Sequence, residues 1–129
     1  MTIKTYSLKK DGEKKLSANF KVKEFACKDG SDKVLIDTEL VELLQKIRNH
    51  FNKSVKITSG FRTTTHNKKV GGTKNSYHLV GMASDIKVTG VNPILVAMYA
   101  EKLNAGGIGV YSNFVHVDTR DKQSRWIEC

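Results

Sequence analysis

The sequence predicts a small single domain of the α+β class, with an antiparallel sheet flanked by helices. Between residues 37 and 49 the apolar side chains of Leu40, Val41, Leu43, Leu44 and Ile47 recur at helical spacing. Runs rich in β-branched residues, at 54–58, 83–88 and 114–119, carry the alternating or clustered apolar pattern of strands. Polar and glycine-bearing segments separate these runs and read as turns and loops. At 129 residues the chain has the size of one domain, which buries roughly two-thirds of the surface exposed by its unfolded chain.

Residues 1–18 are polar and are expected to form an N-terminal arm, with the domain proper at 19–129. The alternation Asn19-Phe20-Lys21-Val22-Lys23 suits an edge strand or an extended arm. The helix that follows has Asp37 or Thr38 available as its N-cap. Ser54-Val55-Lys56-Ile57-Thr58 reads as a strand ending at Ser59-Gly60. The polar stretch 62–77 suggests a short helix over 64–70 and then an irregular loop through Gly71-Gly72. A second strand over 83–88 carries Asp85, and Asn92-Pro93 opens a second helix that Asn104-Ala105-Gly106-Gly107 ends. Residues 108–111 and 114–119 then form a hairpin around Ser112-Asn113, with His116 inside the final strand.

With 22 Lys and Arg against 13 Asp and Glu the chain carries a formal charge of +9, which favours anionic partners. Nucleic acid, acidic lipid and anionic cell-wall polymer all qualify on charge. The lysines are scattered, with no aromatic-interleaved stripe or reading helix, so nucleic acid is not expected as a partner. No run approaches the roughly 18 apolar residues of a membrane span, and the first residues lack the apolar core of a secretory signal. Synthesis in the cytoplasm is therefore expected, without membrane insertion. Cys27 and Cys129 are compatible with one disulfide, but a reduced compartment is the simpler reading.

The chemistry-bearing residues are His78 and Asp85, in His-Leu-Val-Gly-Met-Ala-Ser-Asp, and His116, in Phe-Val-His-Val-Asp. Two imidazoles and a carboxylate outline a catalytic zinc site, which takes three protein ligands and leaves the fourth position to water. Strand alternation puts Phe114, His116 and Asp118 on one face, with Val115 and Val117 on the other. A carboxylate such as Asp85, flanked by Ile86 on a central strand, is costly unless paired or bound to metal. Taken singly, each is as compatible with a hydrogen-bonded structural residue.

These residues stand in order with Glu24-Phe25-Ala26-Cys27, Ser59-Gly60-Phe61-Arg62, Gly71-Gly72, Ser76-Tyr77-His78, Gly107-Ile108-Gly109 and the closing Asp118-Thr119-Arg120 and Arg125-Trp126. Over residues 19–126 the pattern resembles the zinc peptidases of the D-alanyl-D-alanine carboxypeptidase type, related to vancomycin-resistance dipeptidases, phage L-alanyl-D-glutamate endolysins and the zinc domain of hedgehog proteins. The resemblance implies that fold, Zn²⁺ bound by His78, Asp85 and His116, and Arg62 beside the metal, holding a substrate carbonyl or carboxylate. Ser76 and Tyr77 are candidate substrate contacts, with packing as the alternative for Tyr77. His66 and His50 read as structural, and Trp126 as closing the core.

The chain departs from better-known members at the general base. They place an acid three residues before the last zinc histidine, or a histidine two before it; here those positions hold Asn113 and Phe114. Neither takes a proton from water at neutral pH. Asp118 is the candidate base, or else a partner that orients His116 or an ion pair with Arg120 or Arg125. The function implied is a monomeric, zinc-dependent peptidase of bacterial peptidoglycan peptides, of carboxypeptidase or endopeptidase type. A phage-type lysis system that releases an endolysin to the wall fits the missing signal. The alternative is a non-catalytic, zinc-containing wall-binding module.

Overall fold

Asp37 starts the longest helix because its carboxylate accepts the Glu39 backbone N–H at 3.1 Å, satisfying an amide that the first turn leaves without a partner. This helix, α2, runs Thr38–Phe51 and stops at Asn52, which adopts the left-handed conformation at φ 51°. Leu40, Val41, Leu43, Leu44 and Ile47 are buried along one face, as their spacing predicts. The computed structural model describes residues 2–128.

The main sheet has five strands: β3 (Val55–Ser59), β4 (Ala83–Val88), β5 (Gly107–Val110), β6 (Val115–Asp118) and β7 (Ser124–Ile127). Their spatial order is β3-β4-β6-β5-β7, antiparallel throughout except that β7 runs parallel to β5. Helix α4 (Pro93–Lys102) is capped by the Asn92 side chain, has Pro93 in its first turn, and packs with α2 against one face of this sheet. Ile86, Val88, Ile108, Val115 and Val117 are buried there. Alternation sends Asp85, His116 and Asp118 to the other face, so burying one set of residues lays out the other.

The expected helices and strands at 37–49, 54–58, 83–88, 92–103 and 114–119 all form, with ends displaced by one or two residues. The expected hairpin closes with Tyr111 N–H donating to the Phe114 carbonyl at 3.0 Å. The short helix α3 (Thr64–Lys69) is capped by Thr63, whose hydroxyl accepts the His66 N–H.

Two expectations near the N-terminus change. The alternation at 19–23 is not a strand. Phe20, Val22 and Phe25 are all buried around a 3-10 turn, Val22–Phe25, stabilised by Glu24 accepting the Lys21 N–H at 2.7 Å. Three apolar side chains at that spacing reach one core more readily from a tight turn than from a strand that alternates faces. Within the polar stretch 1–18, β1 (Ile3–Ser7) pairs antiparallel with β2 (Lys33–Asp37), and α1 (Leu8–Asp11) follows. Cys27 is buried, and Cys129 lies outside the described residues, as does any pairing between them. No helix among the described residues is long and apolar enough to cross a membrane.

Candidate metal centre

The antiparallel register of β4 and β6 sets Asp85 directly opposite His116. His78 arrives from a 3-10 turn, Tyr77–Val80, opened by the Ser76 hydroxyl accepting the His78 N–H at 3.2 Å. The turn closes at Gly81, in left-handed backbone at φ 78°, where a Cβ would run into the Leu35 carbonyl. His78, Asp85 and His116 are all buried, and one ligand atom from each falls within 4.8 Å of the others. His78 Nε2 lies 3.3 Å, and His116 Nδ1 3.0 Å, from Asp85 Oδ1.

A partner on the far side orients each imidazole. His78 Nδ1 is 2.8 Å from the Gly60 carbonyl, which only accepts, so Nδ1 donates and the Nε2 lone pair faces the centre. His116 has a carboxylate on each ring nitrogen, Asp118 Oδ2 at 2.8 Å from Nε2 and Asp85 Oδ1 at 3.0 Å from Nδ1, so Asp118 holds the ring from behind while Nδ1 faces the centre. Two imidazole nitrogens and a carboxylate oxygen therefore converge, with each imidazole held from behind as metal-ligating histidines are. This donor set fits a divalent ion of the zinc type.

Asp118, named from the sequence as base or as partner of His116, is fully buried. Its oxygens accept from Arg120 Nη2 at 2.6 Å, from Arg120 Nε at 3.0 and 3.1 Å, and from the Arg120 backbone at 3.1 Å. Burial pushes the Asp118 carboxyl up, but the hydrogen bonds from His116 and Arg120 outweigh it and hold the group below the usual carboxylate range. Burial lowers His116, yet carboxylates on both ring nitrogens reverse that and raise it. Asp85 is likewise pushed up by burial and then held well down by His116 and His78. Asn113 is exposed in the turn before β6, and Phe114 carries no proton to exchange.

Arg62 stands beside this centre. Its Nε donates to Ser59 Oγ at 3.0 Å, its Nη1 to Asn67 Oδ1 at 3.1 Å, and its Nη2 to Asp85 Oδ2 at 3.4 Å. Asn67, buried in α3, also donates to the Thr73 carbonyl at 2.8 Å, which ties the Gly71-Gly72 loop to the arginine. Gly72 packs where a Cβ would strike both the Asn67 and Arg62 side chains. Asn67 has no distinctive signal in the sequence, being only a polar residue at an inward position of a short helix.

The centre opens into a cleft of about 720 Å³ whose lining includes Arg62, Ser76, Tyr77, His78, Asp85, His116, Arg120 and Trp126. Ser76 and Tyr77, the candidate substrate contacts, are among its lining residues. The Arg120 guanidinium sits 4.4 Å from the Tyr77 ring centre, so Tyr77 packs as well as lines. Trp126, expected to close the core, instead lies on the cleft side: its ring is 5.1 Å from His116, and its Nε1 donates to the Tyr111 hydroxyl at 3.0 Å. It reaches His116 by crossing Gly109, and Asp118 lies over Gly107 in the same way. The Gly-Ile-Gly of β5 is therefore the trough in which the site's side chains lie. His66 and His50 are absent from the cleft; His50 stacks on Tyr99, joining α2 to α4.

A family model described as Peptidase M15 matches residues 18–118. The chain is 41% identical over 75 residues to the probable peptidoglycan L,D-endopeptidase MepK of Haemophilus influenzae, a match covering 53% of this chain and 40% of that protein. It is 34% identical over 93 residues to the peptidoglycan L,D-endopeptidase MepK of Escherichia coli K12, covering 65% of this chain and 51% of the other. The chain spans about half or less of the length of these curated relatives.

Proposed function

This chain belongs to the peptidase M15 family, and from that premise we propose that it hydrolyses amide bonds in the peptide stems of bacterial peptidoglycan. The observation that carries the reading is the convergence of His78, Asp85 and His116, each imidazole turning one ring nitrogen to one point and held by a partner on the other. Zinc is the ion this donor set suits, with the fourth position left open. When bound it supplies Lewis acidity, which polarises the scissile carbonyl and acidifies water. The formal charge of +9 complements an anionic wall. The names of the relatives favour an endopeptidase over a carboxypeptidase.

The chain's own residues divide the remaining work. Arg62, fixed by Ser59, Asn67 and Asp85, holds a guanidinium beside the centre, where it meets the oxyanion that forms as the amide carbon becomes tetrahedral. Ser76 and Tyr77 line the approach and contact the peptide. Asp118 holds the His116 ring from behind: fully buried, with His116 and Arg120 on its oxygens, it is not placed to take a proton from water.

A second reading, a zinc-containing module that binds the wall without cutting it, is favoured by the absence of an ionisable side chain at Asn113 and Phe114. Incubating the zinc-loaded chain with purified peptidoglycan and identifying soluble products by mass spectrometry separates the two. Stem peptides released by the wild type and not by His78→Ala support hydrolysis. Bound zinc with no product from any wall preparation overturns it and leaves the binding module.

A further inference from the structure

The charges that line the cleft do not balance evenly. Arg62 is paired with Asp85 and Arg120 with Asp118. Glu128, which also lines the cleft, is exposed, and among the described residues its carboxylate has no hydrogen-bond or ion-pair partner. A chain with a formal charge of +9 thus has, among the residues that line its site, one carboxylate without such a partner.

Glu128 is accompanied by aromatic rings. Val110 pairs with Ile127, and the Glu128 backbone N–H donates to the Val110 carbonyl at 2.8 Å, which continues the β5–β7 register so that Glu128 follows beside Tyr111. Tyr111 stacks on Phe114 with ring centres 4.2 Å apart and planes 8° from parallel, and it accepts the Trp126 indole N–H. All three rings line the same cleft as Glu128. Two strand spacings, roughly 10 Å, separate β7 from β6, so Glu128 stands away from the metal ligands and not among them. Aromatic faces ending in a carboxylate accept an alkyl arm that ends in a cation: the rings cover the methylenes and attract the charge, and the carboxylate fixes it.

We propose that Glu128, with Tyr111, Phe114 and Trp126, forms a subsite for a primary ammonium on an alkyl arm, so that the preferred peptide carries a side-chain amine of lysine-like chemistry. This rests on the peptidoglycan-peptide reading of the same cleft and extends it to the residue next to the cut. The subsite itself does not depend on the metal.

Two synthetic stem peptides, identical except that one side-chain amine is free or acetylated, test it on the full chain. In the metal-free protein, titration followed by Trp126 fluorescence should show the free amine binding roughly three- to tenfold tighter. Glu128→Gln should erase that preference and Glu128→Lys reverse it, with circular dichroism unchanged. Equal affinities in the wild type, no binding of either peptide, or a preference that survives Glu128→Gln overturns the subsite. Cleavage by the zinc-loaded protein is scored separately: a binding preference with no cleavage sinks hydrolysis and leaves the subsite standing, and cleavage of both peptides at equal kcat/KM does the opposite.

Discussion

Asp118→Asn discriminates between holding His116 and taking a proton. The replacement keeps an oxygen to accept from His116 Nε2, now 2.8 Å away, but removes the charge that holds the Arg120 guanidinium at 2.6 to 3.1 Å. A partner behind a metal-ligating histidine is worth about 10- to 100-fold in metal affinity, or ~1.4–2.7 kcal/mol. Arg120 is 21% exposed and turns toward water once released, so its stranded charge costs less than a fully buried one would. The folded state should lose about 1–3 kcal/mol, roughly 4–10 °C in Tm for a domain of this size. Zinc affinity is read by competition with a chromophoric chelator, Tm by calorimetry, and turnover at saturating zinc. Weaker zinc, with turnover at saturation within about tenfold of wild type, is expected. Unchanged zinc affinity with turnover down by about a thousandfold would refute the holding role and restore Asp118 as base.

Other perturbations address separate parts of the site. Arg62→Ala should lower kcat by about 10²–10³ while zinc stoichiometry stays at wild type; retention of full turnover would remove Arg62 from oxyanion stabilisation. Gly109→Ala places a Cβ 2.6 Å from Trp126 Cζ2, which forces the ring off His116 and breaks its bond to Tyr111 at about 1–3 kcal/mol; an unshifted Tm and Trp126 fluorescence would contradict the trough. In the metal-free protein His116 is raised, so its contribution to stability is complete below the unfolded value near ~6.5 and lost as pH climbs through the folded one. Asp85 and Asp118 are depressed, so theirs is present above about 3.9 and lost as pH falls through the lower folded values. Metal-free Tm should therefore peak between about pH 4 and 6.5. Zinc should add progressively more stability as pH rises and the proton leaves His116; a zinc increment independent of pH would refute that competition.

The parts of the fold legible in the sequence are those whose burial is one-sided. Helix α2 announces itself because Leu40, Val41, Leu43, Leu44 and Ile47 must share a face, and β6 because Val115 and Val117 must bury opposite His116 and Asp118. Strand β7 was not legible: Ser124-Arg125-Trp126-Ile127 is half exposed, and its hydrogen bonds go to β5, which lies earlier in the chain. The candidate ligands stand out because imidazoles and a carboxylate are costly when buried. What Asp118 does depends instead on which nitrogen of His116 faces it, a matter of ring orientation that spacing does not encode. The place of Trp126 is hidden for a related reason, since its route over Gly109 exists only once β5 and β7 are side by side.

X-ray absorption at the zinc edge of the zinc-loaded full chain tests the centre most directly. One ion per chain, with two imidazole nitrogens at about 2.0–2.1 Å, one carboxylate oxygen and one water, is expected for His78, Asp85 and His116. Each of His78→Ala and His116→Ala should lose that ion. A folded wild-type chain that binds no zinc, or zinc whose shell is unchanged when either histidine is removed, would contradict the assignment.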